Sequence, residues 1–291
     1  MRTYSFQPFA KCDTCEMVKM RLVLGSIQPQ VLGISKMHQD YICLCRANLV
    51  ARAKFARGHP GEVLFLNVDG MDQVKTSIPR PRSQSKASDR GIPLTTKLMG
   101  VIDYGHKWYG FWSFPEFAAT ANVTLTALSR VIHLAHVDWA TRGQPFPRKL
   151  QLQMDNSGRD NKNHYLLGYC GLLVAEKIFE EVEVFFLPVG HMHNEIDATF
   201  SLVSRAMTAA GPLSLPDLME CANQAWRGTH ADVGSAGKEN ILMNEVLDFR
   251  AILPYRQGAG SNREAPVMHQ FQGLGSRRHE DEAAGVRVAK R

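Results

Sequence analysis

Three aspartates stand where apolar runs of the chain end. Asp69 closes Val63–Val68 and precedes Gly70. Asp155 closes the alternating run in "RKLQLQMDN", and Asp197, two residues after Glu195, opens "NEIDATFSLVSRAMT". Carboxylates gathered at strand ends raise each other's pKa unless something positive binds them. Their hard oxygens suit Mg²⁺ or Mn²⁺. Two such ions about 3.5–4 Å apart neutralise the attacking and leaving oxygens of a phosphodiester. Asp69, Asp155 and Asp197 are therefore candidate catalytic residues and ligands of two Mg²⁺ or Mn²⁺ ions. Asp-Gly and Asp-Asn-Ser-Gly are also ordinary turn formers, and Asp72 is a rival or supporting ligand. Asp103 and Asp138 read as surface residues. Glu195 and Asp197 diverge by about 200° on a helix, so only one can face a site. Asp197 shares its flank with polar His193, Ser201 and Ser204, and is preferred. Glu195 suits a first-turn acid.

Other polar residues fall nearby. His193 is a candidate catalytic residue that could bind phosphate, act as an acid or orient a carboxylate; alternatively it is a structural histidine at a helix start. Asn156, Lys162 and Asn163 either touch phosphates or close a loop, with Lys162 the stronger phosphate contact. Arg80, Arg82, Lys86 and Arg90 lie in the Pro/Ser/Arg-rich loop "IPRPRSQSKASDRG" and are candidate DNA-phosphate contacts.

A second chemistry is suggested by Cys12-x-x-Cys15, which has the spacing of half a zinc site. His38 and Cys43 or Cys45 are candidate partners, though at no standard spacing. Alternatively, the other ligands lie upstream of Met1 in longer relatives. Cys170 and Cys221 read as buried thiols.

These residues need a frame. Val63–Val68 reads as a buried strand, and "TKLMGVIDYG" and "KWYGFWSFPE" as two more with a turn near Gly105-His106. "NVTLTALSRVIHLAHVDWA" is an amphipathic helix on Leu125, Leu128, Ile132 and Ala135, with Asn122 as its cap. "RKLQLQMDN" is a fourth strand, "HYLLGYCGLLVAEKIFEEV" a buried helix and "VEVFFLPVG" a fifth strand. The last helix carries Ile196, Phe200, Val203 and Met207 on one stripe. The order predicts an α/β fold with a mixed five-stranded sheet flanked by helices. Residues 1–57 form a small helical, candidate zinc segment whose helix runs through "SKMHQDYICLCRANLVARAKFARG", with Arg46, Arg52, Lys54 and Arg57 on a solvated face. Residues 58–210 form the core. Residues 211–291 form a loosely ordered extension in which "LPDLMECANQAW" is a candidate helix.

The chain carries a formal charge of +6 and a pI of about 9.0, a weak preference for polyanions. No stretch approaches the roughly 20 apolar residues of a membrane span, and the N-terminus lacks a signal-peptide core. An intracellular, reducing location with thiol cysteines is expected.

With these elements in order, the chain resembles the ribonuclease-H-like catalytic core of transposases and integrases, which carries acids on its first strand, after its fourth and on its last helix. Here 86 residues separate Asp69 from Asp155, and 42 separate Asp155 from Asp197. More narrowly, "DGMDQ" at 69–73, "DNSGRDNKN" at 155–163 and "GHMHNEID" at 190–197 resemble an uncharacterised domain of eukaryotic transposon-derived proteins. Met192 stands where threonine is usual. The resemblance covers about residues 10–210. It implies a nuclear location, DNA as partner, a homo-oligomer and Asp197 as the third acid. Two further readings stand beside it. One is the same fold without catalysis, binding nucleic acid or protein. The other is a metallophosphoesterase, suggested by "GHMH" at 190–193 but lacking two histidines which that chemistry needs.

Overall fold

A computed structural model describes residues 12–24, 29–83, 92–117, 120–155, 161–188, 190–191, 195–225, 238–253 and 286–289. Two helices come first, α1 (Asp13–Val23) and α2 (Pro29–Gly58). Then follow β1 (Val63–Gly70), β2 (Lys97–Asp103), β3 (Trp108–Ser113), α3 (Ala121–Thr141), β4 (Lys149–Met154), α4 (His164–Ala175), β5 (Glu181–Phe186) and α5 (Glu195–Ala210). The chain continues through α6 (Leu215–Ala225), β6 (Lys238–Leu242), α7 (Phe249–Ile252) and β7 (Val286–Ala289).

The sheet is mixed, in the order β6-β3-β2-β1-β4-β5-β7. β1, β2 and β3 form the expected antiparallel meander, while β4 and β5 join in parallel by way of α3 and α4. The parallel pairs need long crossovers, and the helices supply them. Five strands were expected; the sheet has seven. The extension beyond residue 211, expected to be loose, adds β6 parallel to β3 and β7 antiparallel to β5. The unpaired backbone at both sheet edges recruited short segments that composition alone marks as loops.

Alternation along β1 separates two cores. Leu64, Leu66 and Val68 face α3 and α4 together with Leu150, Leu152 and Met154. Val63 and Phe65 face the other side, covered by α5, α6 and the end of α2. On that side Ile196, Phe200, Val203 and Met207 are all buried, the stripe the sequence predicts. Each such side chain contributes about 1.5–3 kcal/mol on burial, enough to fix which face of α5 meets the sheet. Gly100 of β2 lets α5 come close: a Cβ there would lie 3.0 Å from the Phe200 ring.

Several local expectations are corrected. The N-terminal segment holds two helices, and α2 begins at Pro29. Its basic side is solvated only in part: Arg46 and Lys54 are exposed, Arg52 and Arg57 are half-buried, and Arg46, Arg52 and Arg57 all contact the segment from β5 to α5. Thr120, not Asn122, precedes α3. The Asn122 amide instead donates to Asp248 and accepts from the Phe249 N–H. Asp103, expected at the surface, is buried because β2 carries it under the tight turn to β3.

Candidate functional site

The strand register places the first two aspartates. Val68 pairs with Met154 across the parallel β1–β4 ladder, so Asp69 and Asp155 follow side by side at the strand ends. Neighbouring strands lie about 4.8 Å apart, and residues in register point to one face. Val68 and Met154 belong to the α3/α4 core, so the next residues turn toward the α5 face. The third aspartate arrives through packing. Asp69 is also the cross-strand partner of Gly100, and Phe200 sits over Gly100. Asp197 lies three residues before Phe200, one helical turn earlier on α5.

The electrostatics record this convergence. Burial pushes the Asp69 carboxyl up to about 7, the Asp197 and Asp155 charges add to the rise, and the Gly70 N–H opposes it. That N–H donates to Asp69 Oδ1 at 2.8 Å. Asp155 Oδ1 accepts from the Asn161 side-chain amide, and Asn161 is itself buried. A cleft of about 220 Å³ opens at the carboxyl ends of β1 and β4, lined by Asp69, Asp155, Asn161, Gln73, Lys97 and Thr124. Crevices at the carboxyl ends of parallel strands are where α/β sheets usually bind ligands.

Other predicted residues have different duties. Asp72 Oδ1 accepts from the Val74 N–H and caps a 3₁₀ turn over Gln73–Lys75. Asn163 caps α4 by accepting from the N–H groups of Tyr165 and Leu166. Lys162 is exposed, its ammonium 5.7 Å from the Phe186 ring centre. Arg80 donates to the Lys75 carbonyl at 2.6 Å. Arg82 donates to the Ala210 carbonyl at 3.0 Å, at the end of α5 far from Asp197. At 1.5 Å rise per residue, about 20 Å of helix separates Arg82 from the aspartates. His193, Asn156, Lys86 and Arg90 lie outside the described residues. Glu195 does not join the aspartates. Arg57 Nη2 donates to both its carboxylate oxygens, at 3.0 and 3.2 Å, which ties α5 to α2.

A second cluster is tighter. Cys12, Cys15, His38 and His191 bring one ligand atom each to within 4.8 Å of all the others. Cys12 precedes α1, Cys15 lies in its first turn, His38 is on α2, and His191 lies between β5 and α5. Gly190, at φ 77°, turns the chain so that the His191 N–H donates to the Pro188 carbonyl. Burial and then Cys12 push the Cys15 thiol up, while burial and then His38 push His191 down. These four residues could hold a metal ion such as zinc. Among the described residues they are the only such group of three or more, and the three aspartates are not one. Sequence reading found Cys12, Cys15 and His38 but missed His191 as their partner, and Cys43 and Cys45 do not take part. Cys170 and Cys221 are buried thiols as expected.

Residues 86–279 match a family described as a domain of unknown function, DUF7869. The chain belongs to that family. The matched stretch contains Asp155, His191 and Asp197, while Asp69, Cys12, Cys15 and His38 precede it. No curated protein and no solved structure matches the chain. No described helix is long and apolar enough to cross a membrane.

Proposed function

We propose that this member of the DUF7869 family is a ribonuclease-H-like, transposon-derived core that cuts or joins DNA phosphodiesters, with Asp69, Asp155 and Asp197 as its acidic centre. The observation that carries this reading is the Asp69 carboxyl, which lines a cleft with Asp155 and is pushed up to about 7 by burial and by the charges of Asp197 and Asp155. Two further carboxylates beside Asp69 raise the cost of ionising it, a cost that a bound cation would offset. The order of elements, with parallel β1 and β4 at the centre, supports the resemblance.

The donor set is all oxygen, which fits Mg²⁺ or Mn²⁺. Two ions sharing these ligands would suit a phosphodiester reaction. Bound ions would supply charge neutralisation at the attacking and leaving oxygens of the phosphodiester. The chain's own residues do the positioning. β1 and β4 fix Asp69 and Asp155 in register, Asn161 holds Asp155 Oδ1, and α5 brings Asp197 over them. Exposed Lys162 follows Asn161 at the same edge and suits a phosphate contact. The attacking group would be water or a DNA 3′ hydroxyl.

A second reading is a fold retained for binding nucleic acid without catalysis, favoured because the three aspartates, unlike the Cys/His cluster, are not among the candidate metal-holding groups. Calorimetry separates the two. Zinc-saturated protein is titrated with Mn²⁺, with and without a short DNA duplex, alongside Asp155→Asn. The catalytic reading expects saturable binding that the variant loses, together with cleavage or strand transfer. No Mn²⁺ binding by folded wild type with DNA present would sink it and leave the second reading. The metallophosphoesterase reading is weakened because His191, the first histidine of "GHMH", faces the cysteines.

A further inference from the structure

We infer that Cys12, Cys15, His38 and His191 form a closed, structural zinc site that clamps the N-terminal helix pair to the β5–α5 connection. The inference rests on these four residues alone and is independent of the phosphodiester reading.

The distances are those of ligands around one centre. His38 Nε2 lies 3.1 Å from Cys12 Sγ and 3.2 Å from His191 Nε2, and His191 Nε2 lies 3.4 Å from Cys15 Sγ. A tetrahedral ion with Zn–N near 2.05 Å and Zn–S near 2.3 Å separates nitrogens by about 3.4 Å and nitrogen from sulfur by about 3.6 Å. Hydrogen bonding serves the cluster poorly. Each Nε2 carries one proton or one in-plane lone pair, never both. Yet each meets a sulfur and the other nitrogen at once. One central cation satisfies all four atoms. The rings cross at 65° with centres 5.2 Å apart, so they are not stacked and both nitrogens can converge.

The donor set selects the ion. Two thiolates with two imidazoles suit tetrahedral Zn²⁺. All four positions come from the protein, which leaves none for substrate and marks a structural site. The surroundings supply the reason for one. α1 has 11 residues, too short to be stable alone, and Val18 is its one buried residue among those described. Met20, Val23 and Leu24 are exposed, at 64, 86 and 79%. Among the described residues apolar packing gives α1 little hold; an ion bound by Cys15 in its first turn and by Cys12 just before it adds one. The clamp also spans a long separation, with His191 lying 176 positions after Cys15. Closing so long a loop constrains the unfolded chain most.

The test uses the full chain, purified without a metal-binding tag, and elemental analysis. One zinc per chain is expected. Cys15→Ser and His191→Asn should lose it by at least tenfold, whereas Cys43→Ser, at an exposed cysteine of α2, should keep it. Replacement by Co²⁺ in wild type should give the visible bands of a tetrahedral ion and a thiolate charge-transfer band. This reads the site even where a variant does not fold. Chelation should speed amide exchange in α1 and the first half of α2 while β1 and β4 stay protected. Folded wild type that takes up neither zinc nor cobalt overturns the inference, as does full zinc content in both ligand variants or octahedral cobalt without a thiolate band. Each readout is made without DNA, so a failure here leaves the three aspartates untouched, and the reverse holds too.

Discussion

Asp69 and Asp103 are acids whose cost depends on pH. Both are raised from 3.8 to about 7, Asp69 by burial and two neighbouring aspartates, Asp103 by burial first and then Asp138. A carboxyl with a raised folded pKa binds its proton more tightly in the native state. Its stabilising effect is complete below about pH 4 and is lost as pH rises through about 7. Metal-free protein should therefore melt at lower temperature at pH 8 than at pH 5. Asp197→Asn removes one repelling charge and should recover about 1 kcal/mol at pH 8 and little at pH 5, read from melting curves. An unchanged pH slope would separate Asp197 from Asp69. If ions bind there, Mn²⁺ affinity should climb as pH passes 7, because the ligand must release its proton. Calorimetry in buffers of different ionisation enthalpy would count that proton. Asp103 makes an independent case. Its Oδ1 accepts from the Gly105 N–H while Oδ2 is buried with no partner. Asp103→Asn keeps the acceptor and removes the charge, so it should gain on wild type steadily between pH 5 and 8, measured by thermal denaturation.

At the scale of elements, α5 is held by three different forces. Its apolar stripe lies on β2, Arg57 grips Glu195, and Arg82 bonds its last carbonyl. The Arg57–Glu195 pair is partly buried and charge-assisted, with Nη2 reaching both carboxylate oxygens, so it is stronger than a surface pair. Arg57→Ala should cost about 1–2 kcal/mol in urea unfolding, leaving Glu195 against Tyr104 without its partner. Lys54→Ala, at an exposed site, should cost almost nothing. The stripe was legible in the sequence because Ile196, Phe200, Val203 and Met207 repeat at helical spacing. So were the strands that present Asp69 and Asp155, where apolar runs meet turn residues. The contacts of Arg46, Arg52 and Arg57 with the segment from β5 to α5 were not, because a basic helix face reads as solvated until its neighbour is known. His191 as a ligand was illegible for a similar reason: local spacing is the signal for a zinc site, and this fourth ligand is far along the chain. Asp103 read as a surface residue because the sequence shows the turn beside it but not the packing that buries it.

Taken whole, the molecule does not end at α5. The C-terminal extension reads as tail because Gly, Ser and charge dilute its apolar residues, yet Met243, Phe249 and Leu253 are buried in the core under α3 and α4. The Leu247 and Phe249 N–H groups donate to Thr126 and Asn122 of α3, and β6 closes the β3 edge. Burying three such side chains is worth roughly 5–9 kcal/mol, comparable to the whole stability of a typical domain, about 5–15 kcal/mol. A chain cut after Ala210 should therefore lose cooperative unfolding or fail to stay in solution, even though it keeps Asp69, Asp155, Asp197 and all four proposed zinc ligands. Removing only residues 286–291 tests a smaller debt. It takes away β7, a four-residue edge strand, and exposes β5. That variant should still melt cooperatively but associate with rising concentration, since an unpaired edge templates another chain. Size-exclusion and denaturation curves of both truncations decide the matter. A fully stable 1–210 fragment would show that the core closes without its extension, and that β6 and α7 only decorate it.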